Sequence, residues 1–240
     1  MKHYTTCSEC LDLHKDFIPS VGEVRSDLIA ICTCEYNHKT VVTIGHTHCD
    51  MLYTSAVHAF VKECLSESVL SFTASLERAY EMFIKVTLFS EGLSYEVIDM
   101  FWKEISNQSE RQYGAFCTQY LKIKKEPWKT NQKMVSFRNS VIHKGHIASV
   151  EEVTIYAEYI TKTLYKILKH LNVNYLDEFG HFCNFEETKT DEILFDLSRK
   201  YNARVSKSIF SSLLNLHLVG MPEISFSKVV KTMKKMQMSK

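Results

Sequence analysis

The chain has 240 residues, of which 45% are hydrophobic and 24% charged, and a formal net charge of +1. That composition excludes a disordered or fibrous protein and leaves room for one domain of ordinary size with small attachments. The near-zero net charge removes any global pull on nucleic acid, so binding of that kind has to come from a local patch.

Three prolines and seven glycines over the whole length favour long helices over many turns. No apolar run approaches a membrane span, and the N-terminus lacks a charged-then-apolar signal segment. The expectation is a cytoplasmic protein with no membrane partner. In that compartment the eight cysteines read as metal ligands and buried thiols rather than disulfides.

Residues 1–48 differ in texture from the rest. Cys7-Ser8-Glu9-Cys10 is a Cys-x2-Cys knuckle. Leu28-Ile29-Ala30-Ile31 reads as a strand running into Cys32-Thr33-Cys34-Glu35-Tyr36-Asn37-His38, and Thr40–Ile44 as a second strand. Two strands joined by a Cys/His-bearing turn behind a Cys-x2-Cys predict a small β zinc ribbon, because so short a segment has little core and a metal supplies the missing stability. Cys7, Cys10, Cys34 and His38 are the expected ligands of a structural zinc, with Cys32 competing for the fourth place. His46, His48 and Cys49 read as a loop that happens to carry such residues.

From Leu52 to Phe89 there is neither Gly nor Pro, and apolar residues recur at helical spacing, which predicts one very long helix or two nearly collinear ones. Tyr95 to Ile105 is a short further helix. Ser109 followed three residues later by Gln112 is a capping-box pattern opening the next helix, with Arg111 a candidate for the edge of a functional cleft. Pro127 and the polar Lys129-Thr130-Asn131 interrupt the chain.

The following helix carries Phe137-Arg138-Asn139-Ser140-Val141-Ile142-His143-Lys144-Gly145. Phe137, Val141 and Ile142 share an arc that faces a core, and Asn139 and His143 stack on the adjoining polar face. Arg138 points between Val141 and Ile142, where an unpartnered guanidinium is costly. Pairing with an acid such as Glu77 or Glu110 would then simply lock the helices together. Gly145 supplies the helix stop. Ser149 and Glu152 form a second capping-box pattern, and Val153, Tyr156, Ala157, Ile160, Leu164, Ile167, Leu168 and Leu171 make an amphipathic stripe. Residues 174–240 read as a small helical extension, with helices at Thr190–Tyr201 and Ser206–Leu216 and a basic one at Ser225–Met238.

Arg138, the Asn139 directly after it and His143 on a late helix of an all-helical domain resemble the motif of the HEPN superfamily. There an Arg, often followed at once by Asn, Asp or His, shares a helix with a downstream His. The resemblance implies a mainly α chain: a zinc ribbon (1–48), a HEPN-type up-and-down helical bundle (49–173) and a helical C-terminal extension (174–240). It also implies a metal-independent RNA endonuclease with Arg138, Asn139 and His143 catalytic, and Lys144, His146 and Arg111 on the RNA. Such enzymes act as homodimers with a composite active site. The chain also resembles the ApeA-like anti-phage, abortive-infection branch, which implies a toxin with an antitoxin or a phage-derived trigger as partner. Two other readings fit the residues: a non-catalytic HEPN module that binds nucleotides or a partner protein, and a zinc-ribbon nucleic-acid adaptor.

Overall fold

The two apolar runs near the N-terminus are realised as neighbouring strands of a sheet. In the computed structural model, which describes residues 2–45, 47–208 and 224–238, the order is β1 (Lys2–Thr6), α1 (Ser8–His14), β2 (Pro19–Glu23), β3 (Ile29–Cys34) and β4 (Lys39–Ile44). These strands are antiparallel neighbours in sequence order, with Tyr4 opposite Val21, Val21 opposite Thr33 and Thr33 opposite Lys39. His3, Ser20, Ala30, Cys32 and Val42 on the other face are buried.

There follow α2 (His48–Val61), α3 (Leu65–Ser90), α4 (Tyr95–Ile105), α5 (Ser109–Lys124), α6 (Gln132–Lys144), α7 (Val150–Asn174), α8 (Leu176–Thr188), α9 (Asp191–Tyr201), β5 (Arg204–Ser208) and α10 (Phe226–Met238). The described chain is therefore mainly helical with one five-stranded sheet. It divides into two compact units, residues 1–47 with 183–211 and residues 48–182 with 212–240. No helix among the described residues is long and apolar enough to cross a membrane.

The first unit is larger than a free-standing ribbon over 1–48. Beyond the four N-terminal strands, the chain supplies the remainder of this unit from its far end. β5 pairs parallel to β4, Val41 beside Val205. Leu194, Leu197 and Tyr201 of α9 pack on Ile29, Val41 and Ala203. Arg204 also pairs with Asp12 of α1. The helix expected at Ser206–Leu216 is therefore strand over Ser206–Ser208; its remaining residues lie outside those described. His48 and Cys49 begin α2 rather than sit in a loop, and His46 lies outside the described residues.

Gly22 marks the tightest approach in this sheet. A Cβ there would sit 2.3 Å from the carbonyl oxygen of Ile31, a backbone atom that cannot move aside. Gly22→Ala is expected to cost the first unit about 3 kcal/mol or more, seen as lost hydrogen-exchange protection in β2 and β3.

In the second unit α2 and α3 form an antiparallel hairpin, not collinear helices. Ser75 donates to the Cys49 carbonyl at 2.7 Å and Ser68 to that of Ala56 at 2.9 Å, while the Tyr53 and Phe72 rings lie 5.4 Å apart. The chain reverses at Glu63, which takes a left-handed conformation (φ +60°) without a glycine. α3 is the central helix. Tyr80 and Phe83 pack on Phe116 of α5, Thr73 bonds Tyr156 of α7, and Glu77 faces α6. The expected capping box at Ser109 does not form: Gln108 is the N-cap, and Gln112 is buried, donating to the Ser106 carbonyl and accepting from Arg78 at 3.2 Å. A buried amide with two partners in the packing has no reason to fold back to an exposed cap. α10 packs by Phe226, whose ring meets those of Phe60 and Phe72.

Candidate functional site

Two clusters concentrate the chemistry, one in each unit. The first lies on α6. Asn131 caps this helix by accepting from the N–H groups of Lys133 and Met134 (3.1 and 3.4 Å), and Gly145 closes it at φ +69°. Only Val141 of the helix is fully buried, so α6 lies on the bundle as a rim element with most of its circumference uncovered. Phe137 meets Tyr156 of α7 at 5.5 Å between ring centres.

Arg138 is half-buried. Its Nη1 donates to Asn139 Oδ1 at 2.9 Å, and its Nη2 lies 3.5 Å from Glu77 Oε1 on α3. Glu110 and Arg78 also act on Glu77 electrostatically. Burial pushes the Glu77 carboxyl above its ordinary range, and the attractions of Arg138 and Arg78 offset this only in part. A group whose pKa is raised on folding holds its proton better in the folded state. Its ionisation therefore opposes folding, with stability falling as pH rises through the folded pKa. The attraction of Arg138 thus returns part of what the desolvation of the carboxylate costs. Burial likewise pushes the Tyr156 phenol beside Arg138 up to about 12, with its oxygen 2.8 Å from that of Thr73.

One prediction follows from this sign. Glu77→Gln is expected to leave the urea-unfolding free energy at pH 7 unchanged or to raise it, by at most about 1 kcal/mol. A locking ion pair would lose stability instead.

His143 and Lys144 are exposed in the last turn of the same helix. His146, just past Gly145, is engaged by α7: its Nε2 lies 3.0 Å from Glu152 Oε1. Glu152 completes the capping box, accepting from the Ser149 N–H at 2.8 Å. The Ser149 backbone and side chain, with His146, hold its carboxyl below the usual range. Arg111 is exposed in the first turn of α5 with Nη1 3.5 Å from the Glu104 carbonyl, and among the described residues no hydrogen bond or ion pair ties it to α6. The structure thus brings together Arg138 and Asn139, places His143 and Lys144 on the same rim, and gives His146 a capping partner. Tyr156 lies beside Arg138 and bonds Thr73. From sequence Tyr156 reads as one position of an amphipathic stripe, and no local signal marks Thr73.

The second cluster lies in the sheet unit. Cys7 follows β1, Cys10 lies in the first turn of α1, Cys34 ends β3, and His38 precedes β4. Their ligand atoms all lie within 4.8 Å of one another. Cys10 Sγ is 3.8 Å from Cys34 Sγ and 3.2 Å from His38 Nδ1, and Cys7 Sγ is 3.9 Å from His38 Nδ1. Tetrahedral zinc, with bonds of about 2.3 Å to sulfur and about 2.05 Å to nitrogen, separates two sulfurs by about 3.8 Å and sulfur from nitrogen by about 3.6 Å. The four side chains therefore fit such an ion, with the histidine engaged through Nδ1.

Burial pushes the Cys10 thiol up to about 12, and the neighbouring Cys7 and Cys34 add to the shift. Burial also acts upward on Cys34. Hydrogen bonds from the Tyr36 and His38 backbone and from Cys7 and Cys10 outweigh it and leave that thiol below its ordinary value. Backbone N–H groups aimed at a sulfur in a tight turn suit a bound thiolate. Cys32 stands apart: it is fully buried, its sulfur is 4.0 Å from the His3 carbonyl, and burial alone pushes it up to about 11.

No family model, no curated protein and no solved structure matches this chain.

Proposed function

We propose that the protein is a metal-independent RNA endonuclease of the HEPN type, acting as a homodimer in the cytoplasm, with a zinc-stapled N-terminal unit. The observation that carries this reading is the setting of Arg138. A guanidinium is held at a rim by Asn139 and by Glu77, on the helix whose last turn exposes His143. A half-buried cation beside a carboxyl shifted by burial is a candidate functional group on physical grounds.

The chemistry follows from the residue types. The ribose 2′-hydroxyl attacks the adjacent phosphorus, the P–O bond to the 5′-oxygen of the next nucleotide breaks, and a 2′,3′-cyclic phosphate and a 5′-hydroxyl result. The step needs a proton acceptor for the 2′-hydroxyl, a donor for the leaving oxygen and a cation for the charge on the phosphorane. Imidazole is the side chain that ordinarily titrates near neutrality, so His143 serves the proton transfers. Arg138 offers a planar, permanently charged fork to the phosphate oxygens, and Asn139 orients it. Lys144 lies on the same rim to meet the substrate backbone. His146 needs release from Glu152 to do so.

One α6 offers a single histidine, and two face-to-face copies supply both acceptor and donor. The surface just beyond the motif supports that arrangement: Ile147 is 91% exposed, and Val150 and Ile155 are also exposed. Large apolar side chains so placed suit burial against a second copy. The further assignment as a toxin or anti-phage effector, kept silent by an antitoxin or awaiting a phage-derived trigger, rests on the family resemblance. In this reading Cys7, Cys10, Cys34 and His38 hold the zinc, which supplies stability to the sheet and takes no part in cleavage.

The test is cleavage of total cellular RNA by the full chain, alongside sedimentation of wild type and Ile147→Glu. Wild type is expected to be dimeric and to cut, and Ile147→Glu to be monomeric and at least about 100-fold slower, since each half-site lacks its second histidine. A monomeric wild type that cuts, or a dimer that cuts no RNA even in lysate from infected cells, counts against the reading.

A further inference from the structure

The bend between α5 and α6 concentrates positive charge that the fold does not use. Five lysines, Lys122, Lys124, Lys125, Lys129 and Lys133, fall within residues 122–133, opposed in sequence only by Glu126. Lys122 is paired with Glu91 at 2.5 Å, and Glu126 accepts a hydrogen bond from Tyr120 at 3.3 Å. The other four lysines are exposed, and among the described residues none has a carboxylate partner. The inner cations of the bundle are answered, by contrast: Arg78 by Glu81, and Lys85 by Glu81 and Asp99.

Helix electrostatics explain only half of this corner. Lys124 and Lys125 stand at the C-terminal end of α5, where cations are favoured. Lys133 is in the first turn of α6, where the dipole opposes it and no acid compensates. Lys129 lies in neither helix. The corner is also held firmly. Trp128 packs edge-on against Phe116 and Tyr120, at 5.0 and 4.8 Å between ring centres, and Lys166 of α7 lies 4.7 Å over its ring. Burial, with the charge of Lys124, pushes the nearby His170 down to about 4, so that imidazole adds no charge of its own near neutral pH.

From this corner a polar stripe runs along α6. Gln132, Ser136, Asn139 and His143 recur at helical spacing on one exposed-to-half-buried arc without a large apolar side chain. Lys133 and His143 are ten residues apart, about 15 Å along the axis. At about 3.4 Å per stacked nucleotide that is the reach of four to five nucleotides. We propose that Lys124, Lys125, Lys129 and Lys133 grip the RNA backbone four to five nucleotides away from the phosphate addressed by Arg138 and His143. The proposal rests on the nuclease reading for its substrate, and it adds a length requirement that the motif alone does not impose.

The test uses the full chain carrying His143→Ala and measures binding of labelled oligouridylates of 20 and 4 nucleotides across a salt series. Replacing the four corner lysines by glutamine is expected to weaken the 20-mer at least tenfold in 100 mM salt. It should lower the slope of log K against log salt by about 2 to 3, and leave the 4-mer nearly unaffected. A charge-matched variant at Lys228, Lys231, Lys234 and Lys235 of α10 controls for net charge. Unchanged 20-mer affinity and slope overturn the proposal, as does an equal loss in the α10 variant. Equal competition by polyglutamate also overturns it, and reassigns the corner to an acidic protein. Weakened binding by the corner variant, with no cleavage by wild type, keeps the corner and removes the nuclease. Cleavage with unchanged binding does the reverse.

Discussion

Cys10→Ser, or removal of the metal by a strong chelator, is expected to unfold the N-terminal unit. Many of the unit's buried side chains are small or polar, among them Ser20, Ala30, Thr40, Ala203 and the cysteines. Cys7, Cys10 and Cys34 form a small separate cluster with Ile18, apart from the cluster of Ile29, Val41 and Ala203 under α9. Without a metal this packs three buried sulfurs and an imidazole against one another. Structural zinc contributes apparent binding free energies of about 10–16 kcal/mol in peptides of this ligand type, far more than such a core provides. Hydrogen exchange should show the amides of β3 and β4 losing protection on chelation while those of α3 keep theirs. Elemental analysis should find about one zinc per chain in the wild type and in Cys32→Ser, and almost none in Cys34→Ser. Retention of zinc by Cys34→Ser and its loss in Cys32→Ser would reverse the ligand assignment. Zinc content should also fall on acidification, because thiolate and neutral imidazole are the binding forms.

The second large effect is expected at α6. His143→Ala should lower RNA cleavage by about 10²–10⁴, the usual worth of positioned proton transfer. Arg138→Ala should cost about 10²–10³ through loss of charge stabilisation. Arg138→Lys should recover little of this, because an ammonium cannot span two phosphate oxygens and still keep Asn139 as a partner. His143→Ala should not alter unfolding by much more than about 1 kcal/mol, since His143 is exposed, whereas Arg138→Ala leaves the Glu77 carboxylate unpaired and is compared with Arg138→Ala/Glu77→Gln, which removes both charges. Steady-state cleavage and urea unfolding of the same preparations check both statements. A large stability loss in Arg138→Ala/Glu77→Gln would make the pair a bundle lock.

What could be read ahead of the structure divides along physical lines. Caps whose side chains have one available use are formed as their sequence suggests: Ser149 with Glu152, and Gly145 at φ +69°. The stripe from Val153 to Leu171 is buried throughout, because a period of 3.6 over so many residues admits one helix face. The Cys/His set was legible because the chemistry of four soft ligands in two knuckles admits few alternatives. At Gln112 a buried amide had two competing uses, and tertiary packing decided it. Glu63 reverses the chain with no glycine or proline to signal it. β1, β2 and β5 are polar or interrupted by Pro19 and Gly22, so their strand character comes from their neighbours and not from composition. Arg138 was legible as a buried cation, but that its acid partner is Glu77 rather than Glu110, and that the carboxylate is uneasy there, depends on packing.

The most direct test of the central claim is the chemistry of the RNA ends. Wild type and His143→Ala would be incubated briefly with RNA in magnesium-free buffer containing EDTA, the zinc content of each confirmed afterwards, and the products analysed by mass spectrometry. The account predicts 2′,3′-cyclic phosphate and 5′-hydroxyl ends from the wild type and none from the variant. Ends bearing 3′-hydroxyl and 5′-phosphate, or cleavage that survives His143→Ala, would contradict it.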